Sequence, residues 1–168
     1  PKLSKLTKPP YKKELKMKLS IQEGSTNYAA KVVTITNVLP IDGKDLIQKT
    51  TVFGNNVIIS KSAKVGDKCI YFCSGTKLSE HYCEYNNLYD QPSLNLDQTK
   101  KGYISHKSRV KAIRLGGIIS DGILMPIDSL HITFNGELKE GDEFTHINDI
   151  LICEKYFVPV RNSGAGQP

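Results

Sequence analysis

The 168-residue sequence predicts a mainly all-β chain closing into a small, partly open, OB-like β-barrel with one or two short helices, a β-sandwich being the alternative. Three observations lead there. Short β-branched or apolar runs recur from Ala29 onward, turns bearing Gly, Asn or Pro separate them, and one long polar stretch interrupts the series.

Residues 1–27 read as a basic leader, divided by Pro9-Pro10, with only Leu15 and Leu19 at helical spacing. The compact domain is expected over residues 28–160. Ala29 to Leu39 is rich in β-branched residues and predicts a strand, ended by Pro40-Ile41-Asp42-Gly43. Leu46 to Phe53 and Val57 to Ser60 flank Gly54-Asn55-Asn56, a hairpin signal because Gly and Asn tolerate positive φ. Val65-Gly66-Asp67 turns into a strand over Lys68 to Cys73. Residues 74–102 are polar and Tyr-rich, a long excursion with one short helix. A strand is expected over Ile104 to Leu115, with a bulge at Ala112-Ile113, and another over Gly122 to Ile127. A turn follows at Glu140-Gly141-Asp142, then a single helical turn over Ile147 to Leu151, and Cys153 to Val160 closes the domain. Residues 161–168 have the composition of a linker, expected to lead to a C-terminal catalytic domain missing from this chain.

Net charge is +6, and its distribution matters more than its size. Residues 1–18 hold seven Lys against Glu14, which accounts for the whole excess. Residues 137–154 hold six acids against Lys139. From Gln98 to Ser120 there are six basic residues, Lys100, Lys101, Lys107, Arg109, Lys111 and Arg114, and no carboxylate. Charge runs are usually solvated faces. Here Lys107, Arg109 and Lys111 recur at every second residue, so an extended strand lines them on one face with Val110 and Ala112 opposed. Such a stripe beside glycine turns suits a polyphosphate backbone. Tyr103 is placed to stack on an exposed base, although a core or surface aromatic is the commoner outcome.

Other chemistry is poorly supported. Cys69, Cys73, Cys83 and Cys153 form no Cys-x-x-Cys pair, His81 and Cys83 are wrongly spaced for a zinc finger, and buried reduced thiols are expected. No metal site is read. The start lacks a secretory signal and no apolar run spans a bilayer, so a cytoplasmic, membrane-free protein is expected.

The block Arg109-Val-Lys-Ala-Ile-Arg114-Leu-Gly-Gly117-Ile-Ile-Ser120-Asp-Gly122-Ile-Leu-Met-Pro126 resembles a signature in the N-terminal OB domain of one class of ATP-dependent RNA ligases. Val38-Leu-Pro40-Ile-Asp-Gly-Lys-Asp-Leu46, Val52-Phe-Gly54, the Lys64-Val-Gly66-Asp67 turn and Glu154-Lys155-Tyr156-Phe-Val-Pro159 are similar too, so the resemblance spans about 29–160. It implies an OB fold and an RNA-repair role. In the parent ligase a C-terminal nucleotidyltransferase domain, using ATP and Mg2+, adenylates a lysine, passes AMP to an RNA 5′-phosphate and seals with a 3′-OH. This module would engage RNA ends, nicks or a tRNA-like substrate through Lys107, Arg109, Lys111, Arg114, Lys100, Lys101 and Tyr103. The chain departs from the family at Gly116, where a basic residue is common, and at Ile118 and Asp121, where Gln is common. The nucleophile motif Lys-x-Asp-Gly is absent: Pro40 precedes Asp42-Gly43 at the lysine position, and Ile119 precedes Asp121-Gly122. The fragment needs no cofactor of its own and is expected to have no ligase activity.

The alternative is a stand-alone OB-fold protein binding tRNA or single-stranded nucleic acid, with the leader as a flexible basic arm. A Cys/His hydrolase lacks a paired nucleophile and base. A fourth reading makes the strip a docking surface for acidic protein, with residues 137–154 as an internal partner.

Overall fold

The computed structural model describes residues 17–132 and 135–158. The chain enters the fold through β1 (Leu19–Ser20), which pairs antiparallel with β12 (His146–Ile147). Composition groups residues 17–27 with the leader, but hydrogen bonding ties them to the domain. Lys18 N–H donates to Asn148 Oδ1 (2.7 Å) and Gln22 N–H to Thr145 Oγ1 (2.8 Å), while buried Ser25 Oγ accepts from Lys155 N–H (3.0 Å). The rest of the leader and the expected 161–168 linker lie outside the described residues.

The β-branched run becomes β2 (Ala30–Thr34), which pairs with β6 (Lys68–Phe72) and with β11 (Glu143–Phe144). β6 also pairs with β10 (Ile123–Pro126), giving the sheet order β10-β6-β2-β11. Every residue from Cys69 to Phe72 is buried because both faces of β6 are covered, which is why the run is continuously apolar rather than alternating. Val32, Ile70, Phe72, Leu78, Phe144 and Ile147 belong to one cluster, and Ile35, Val57, Ile59 and Tyr71 to the other.

β3 (Leu39–Ile41), β4 (Lys44–Val52) and β5 (Asn55–Ser60) form a meander. Pairing of Val52 with Asn55 places the second turn at Phe53-Gly54, one residue earlier than the Gly-Asn-Asn signal indicates. Phe53 (φ 49°) and Gly54 (φ 82°) both take positive φ, the two-residue geometry that matches strand twist, and the Phe53 ring meets Tyr71 edge-on at 5.9 Å. The two similar turns share their chemistry: Asp67 Oδ2 accepts from Lys64 N–H (3.0 Å), and Asp142 Oδ2 from Lys139 N–H (2.8 Å).

Residues 74–102 contain β7 (Thr76–Leu78), the expected short helix α1 (Glu80–Tyr85) and a 3-10 turn (Pro92–Leu94). Ser79 caps α1, its Oγ accepting from Tyr82 N–H (3.1 Å). Despite its polarity the excursion supplies Tyr82, Cys83, Leu88 and Tyr89 to the core.

Two expected elements differ. Ile147 to Leu151 is not helical: β12 and β13 (Ile150–Leu151) form a hairpin through Asn148 (φ 51°) and Asp149 (φ 67°), residues whose short side chains tolerate the left-handed region. The strand over Ile104 to Leu115 shrinks to β8 (Ile113–Leu115), paired with β9 (Ile118–Ser120). Ser108 (φ 62°) breaks it, for reasons given below. β14 (Cys153–Lys155) pairs with β7. The fold is mainly β with a single short α-helix among the described residues, as the sequence predicts.

Gly122 (φ 96°) is where β9 passes into β10, and a Cβ there would stand 2.6 Å from the Phe72 carbonyl oxygen. We expect Gly122→Ala to destabilise the domain by about 1–3 kcal/mol, read as a lower urea midpoint. Burial holds the phenols of Tyr71 and Tyr89 up to about 12. The unfolded phenols ionise near pH 10 and the folded ones only near 12, so the folded state binds more protons between them and stability falls as pH rises across that window. Urea midpoints should therefore drop from pH 10 to 12, less steeply in Tyr89→Phe.

Candidate nucleic-acid interface

Tyr89 is buried in the core, and its hydroxyl lies 2.7 Å from Ser108 Oγ, also buried. Meeting that partner draws Ser108 inward and forces the backbone into the left-handed region, closing a turn in which Ser108 N–H donates to Ser105 O (2.9 Å). Lys107 lies in this turn, exposed, and does not share a strand face with Arg109. The expected period-two stripe is thus replaced by a turn followed by a bridge, since a buried hydroxyl pair outweighs strand continuity.

Arg109 forms an antiparallel bridge with Lys77 of β7, and Gly75 links the neighbouring backbones, donating to Val110 O (2.9 Å) and accepting from Tyr156 N–H (3.0 Å). The Arg109 guanidinium lies over the Tyr156 ring, 4.9 Å from its centre. Its Nε is buried without a hydrogen-bond partner. Arg109 is therefore half-buried and anchored, whereas Lys111 and Arg114 are exposed, Arg114 on β8 opposite Ile119. Lys100 closes the turn from Asp97 and Lys101 follows it, both exposed, and Asn95 Nδ2 donates to Lys100 O (2.9 Å). Tyr103 is half-exposed, at 50%.

Arg109, Lys111 and Tyr103 meet at a cleft of about 320 Å³ that also includes Asp90 and Ser105. Lys107, Arg114, Lys100 and Lys101 stand outside it. Tyr103 and Ile113 also line a neighbouring apolar groove of about 700 Å³. Among the described residues the ion pair is Lys68 with Glu137 (3.5 Å), and none of the six strip cations forms one, although Lys100 lies in the field of Asp97. The acidic 137–154 segment thus engages Lys68, not the strip.

Gly116 (φ 58°) and Gly117 (φ 80°) are the two-residue turn of the β8–β9 hairpin, which accounts for both glycines without a bound phosphate. Ser120 Oγ accepts from Ile58 N–H (2.9 Å) and Asp121 N–H donates to Asn56 O (2.8 Å), fastening that hairpin to β5. Lys155, whose Nζ faces the rings of Tyr28 (5.9 Å) and Phe157 (5.5 Å), adds a cation–aromatic patch beyond the predicted residues. Only the pairing of β7 with β14 brings it near Arg109, and no local pattern announces that pairing. Among the described residues no three His, Cys, Asp or Glu side chains converge. Nor is any helix there long and apolar enough to cross a membrane.

A small, mainly β domain of short open sheets and hairpins is the architecture of an OB fold. A family model described as an OB-fold domain matches residues 29–127, and the chain belongs to that family. Among solved structures the chain is similar to Naegleria gruberi RNA ligase with PPi, at 25% identity and a TM-score of 0.57, over 82% of this chain and 38% of that one. It is also similar to a mutant of the same ligase with ATP and Mn, at 26% identity and a TM-score of 0.55, over 78% of this chain and 36% of that one. The chain thus spans less than two fifths of the ligase it matches. These likenesses are consistent with the OB domain of an RNA ligase. No curated protein matches the sequence.

The anchored guanidinium has a spectroscopic signature. Arg109 Nε–H should exchange slowly and shift upfield under the Tyr156 ring current in 15N-edited spectra. That signal should be lost in Tyr156→Leu, while exposed Arg114 gives only a fast-exchanging one.

Proposed function

We propose that this chain is the RNA-binding OB module of an ATP-dependent RNA ligase, holding RNA ends or nicks while a C-terminal nucleotidyltransferase domain performs adenylylation and sealing. The observation that carries the reading is the set of cations without an ion-pair partner on an OB domain whose chain matches an RNA ligase over 82% of its own length. The ATP and Mn named with the neighbouring ligase support nucleotide and metal use in the parent protein. These residues contribute binding alone: phosphates displace counterions at Lys107, Lys111, Arg114, Lys100 and Lys101, and Arg109 supplies a pre-oriented cation.

Lys111 and Arg114 are the informative pair, because both are exposed and neither shares Arg109's packing. In the Lys111→Ala/Arg114→Ala double variant RNA affinity should fall. The slope of log K against log salt should flatten by about 1.4 if both contact single-stranded phosphates, and by about 1.8 on duplex. Melting temperature should hold. Fluorescence anisotropy across a salt series reads this, and an unchanged affinity and slope would refute the assignment.

A further inference from the structure

We infer that the apolar groove beside the strip receives an unpaired nucleobase, stacked on Tyr103, with its flanking phosphate held in the adjoining cleft at Arg109 and Lys111. This rests on the RNA-binding reading and narrows it from a backbone-tracking surface to one that takes unstacked nucleotides. The groove, about 700 Å³, is walled by Ile58 of β5, Ile113 and Leu115 of β8, and Leu124 and Met125 of β10. Tyr103, Ile113 and Ile123 line both cavities, so the apolar recess and the polar cleft are contiguous. Leu46, at the groove, is 83% exposed, and Tyr103 presents half its surface, so the chain leaves this apolar wall uncovered.

Charge complementarity selects the occupant. An apolar peptide would suit the groove and leave the cations next to it unpaired. The cleft is lined by two cations, Arg109 and Lys111, and one carboxylate, Asp90, and neither cation has an ion-pair partner among the described residues, so the cleft's balance is positive. A flat apolar body joined to an anion satisfies both halves, and that combination is a nucleotide. A base still paired within a duplex cannot enter the recess, so the ligand class is a single strand, a frayed end or a bulge.

The test compares a fluorescein-labelled 12-nucleotide RNA, single-stranded or annealed into a blunt duplex, against the 168-residue chain. Tyr103→Ala should weaken single-strand binding by roughly 5- to 150-fold, the range that base–aromatic stacking supplies, with an unchanged salt slope and unchanged duplex binding. Tyr103→Phe should keep wild-type affinity. Equal loss for both RNAs, or none for either, overturns the inference. A second measurement needs no variant: 2-aminopurine in the single strand should be quenched on binding, and unquenched fluorescence at saturation overturns the assignment. Concentration-dependent dimers that Leu46→Ser abolishes and RNA does not compete would give the groove to a second copy and overturn it too. Failure here leaves the Lys111/Arg114 salt response intact, whereas failure of the RNA-binding reading abolishes that response.

Discussion

The arrangement of the basic residues depends on one buried contact, the pair of hydroxyls on Tyr89 and Ser108. Both groups are desolvated, and a lone hydroxyl in that place would cost about 1–3 kcal/mol. Each satisfies the other, and the requirement holds Ser108 in a conformation that L-residues other than Asn and Asp seldom adopt. The consequence is geometric. Lys107 is carried into a turn, Arg109 and Val110 are held beside β7, and Lys111 follows outside any strand. Cys83 sits by the same pair, its thiol pushed up to about 11 chiefly by burial, as expected of a packing residue in place of a nucleophile.

From that point outward the fold divides two kinds of cation. Lys100, Lys101, Lys107, Lys111 and Arg114 are exposed charges on long stems. Arg109 is ordered before any ligand arrives, by Tyr156 on one side and by burial of Nε on the other. Pre-ordering reduces the side-chain entropy lost on binding, so in the proposed RNA complex the fixed guanidinium would set register and the five exposed cations would add affinity. The tyrosine that fixes it belongs to the last strand's extension, the segment that resembles the junction with a catalytic domain.

Much of the barrel was legible in the chain itself. Doubly covered β6 shows as an unbroken apolar run, and the Lys-x-Gly-Asp turns declare themselves because the Asp side chain closes each turn locally. Errors arose where two local preferences were both acceptable. Phe53-Gly54 was favoured over Gly-Asn-Asn by the register of β4 against β5, and Asn148-Asp149 turned a hairpin where a helical turn also suited the composition. The polar excursion hid its burial because Tyr82 and Tyr89 are amphipathic, and each hydroxyl finds a serine only in the folded state.

The sequence by itself determined the fold class, the cluster of unopposed charge between Gln98 and Ser120, and the absence of a lysine before either Asp-Gly pair. These are properties of composition and short spacing, which need no distant partner. The tertiary structure alone decided which cation is fixed and which are free, and that the glycine pair closes a hairpin. It also placed Tyr103 between an apolar groove and a charged cleft. Those outcomes follow from contacts between residues far apart in the chain, Tyr156 with Arg109, Ser120 with Ile58 and Lys77 with Arg109, and no local pattern encodes them.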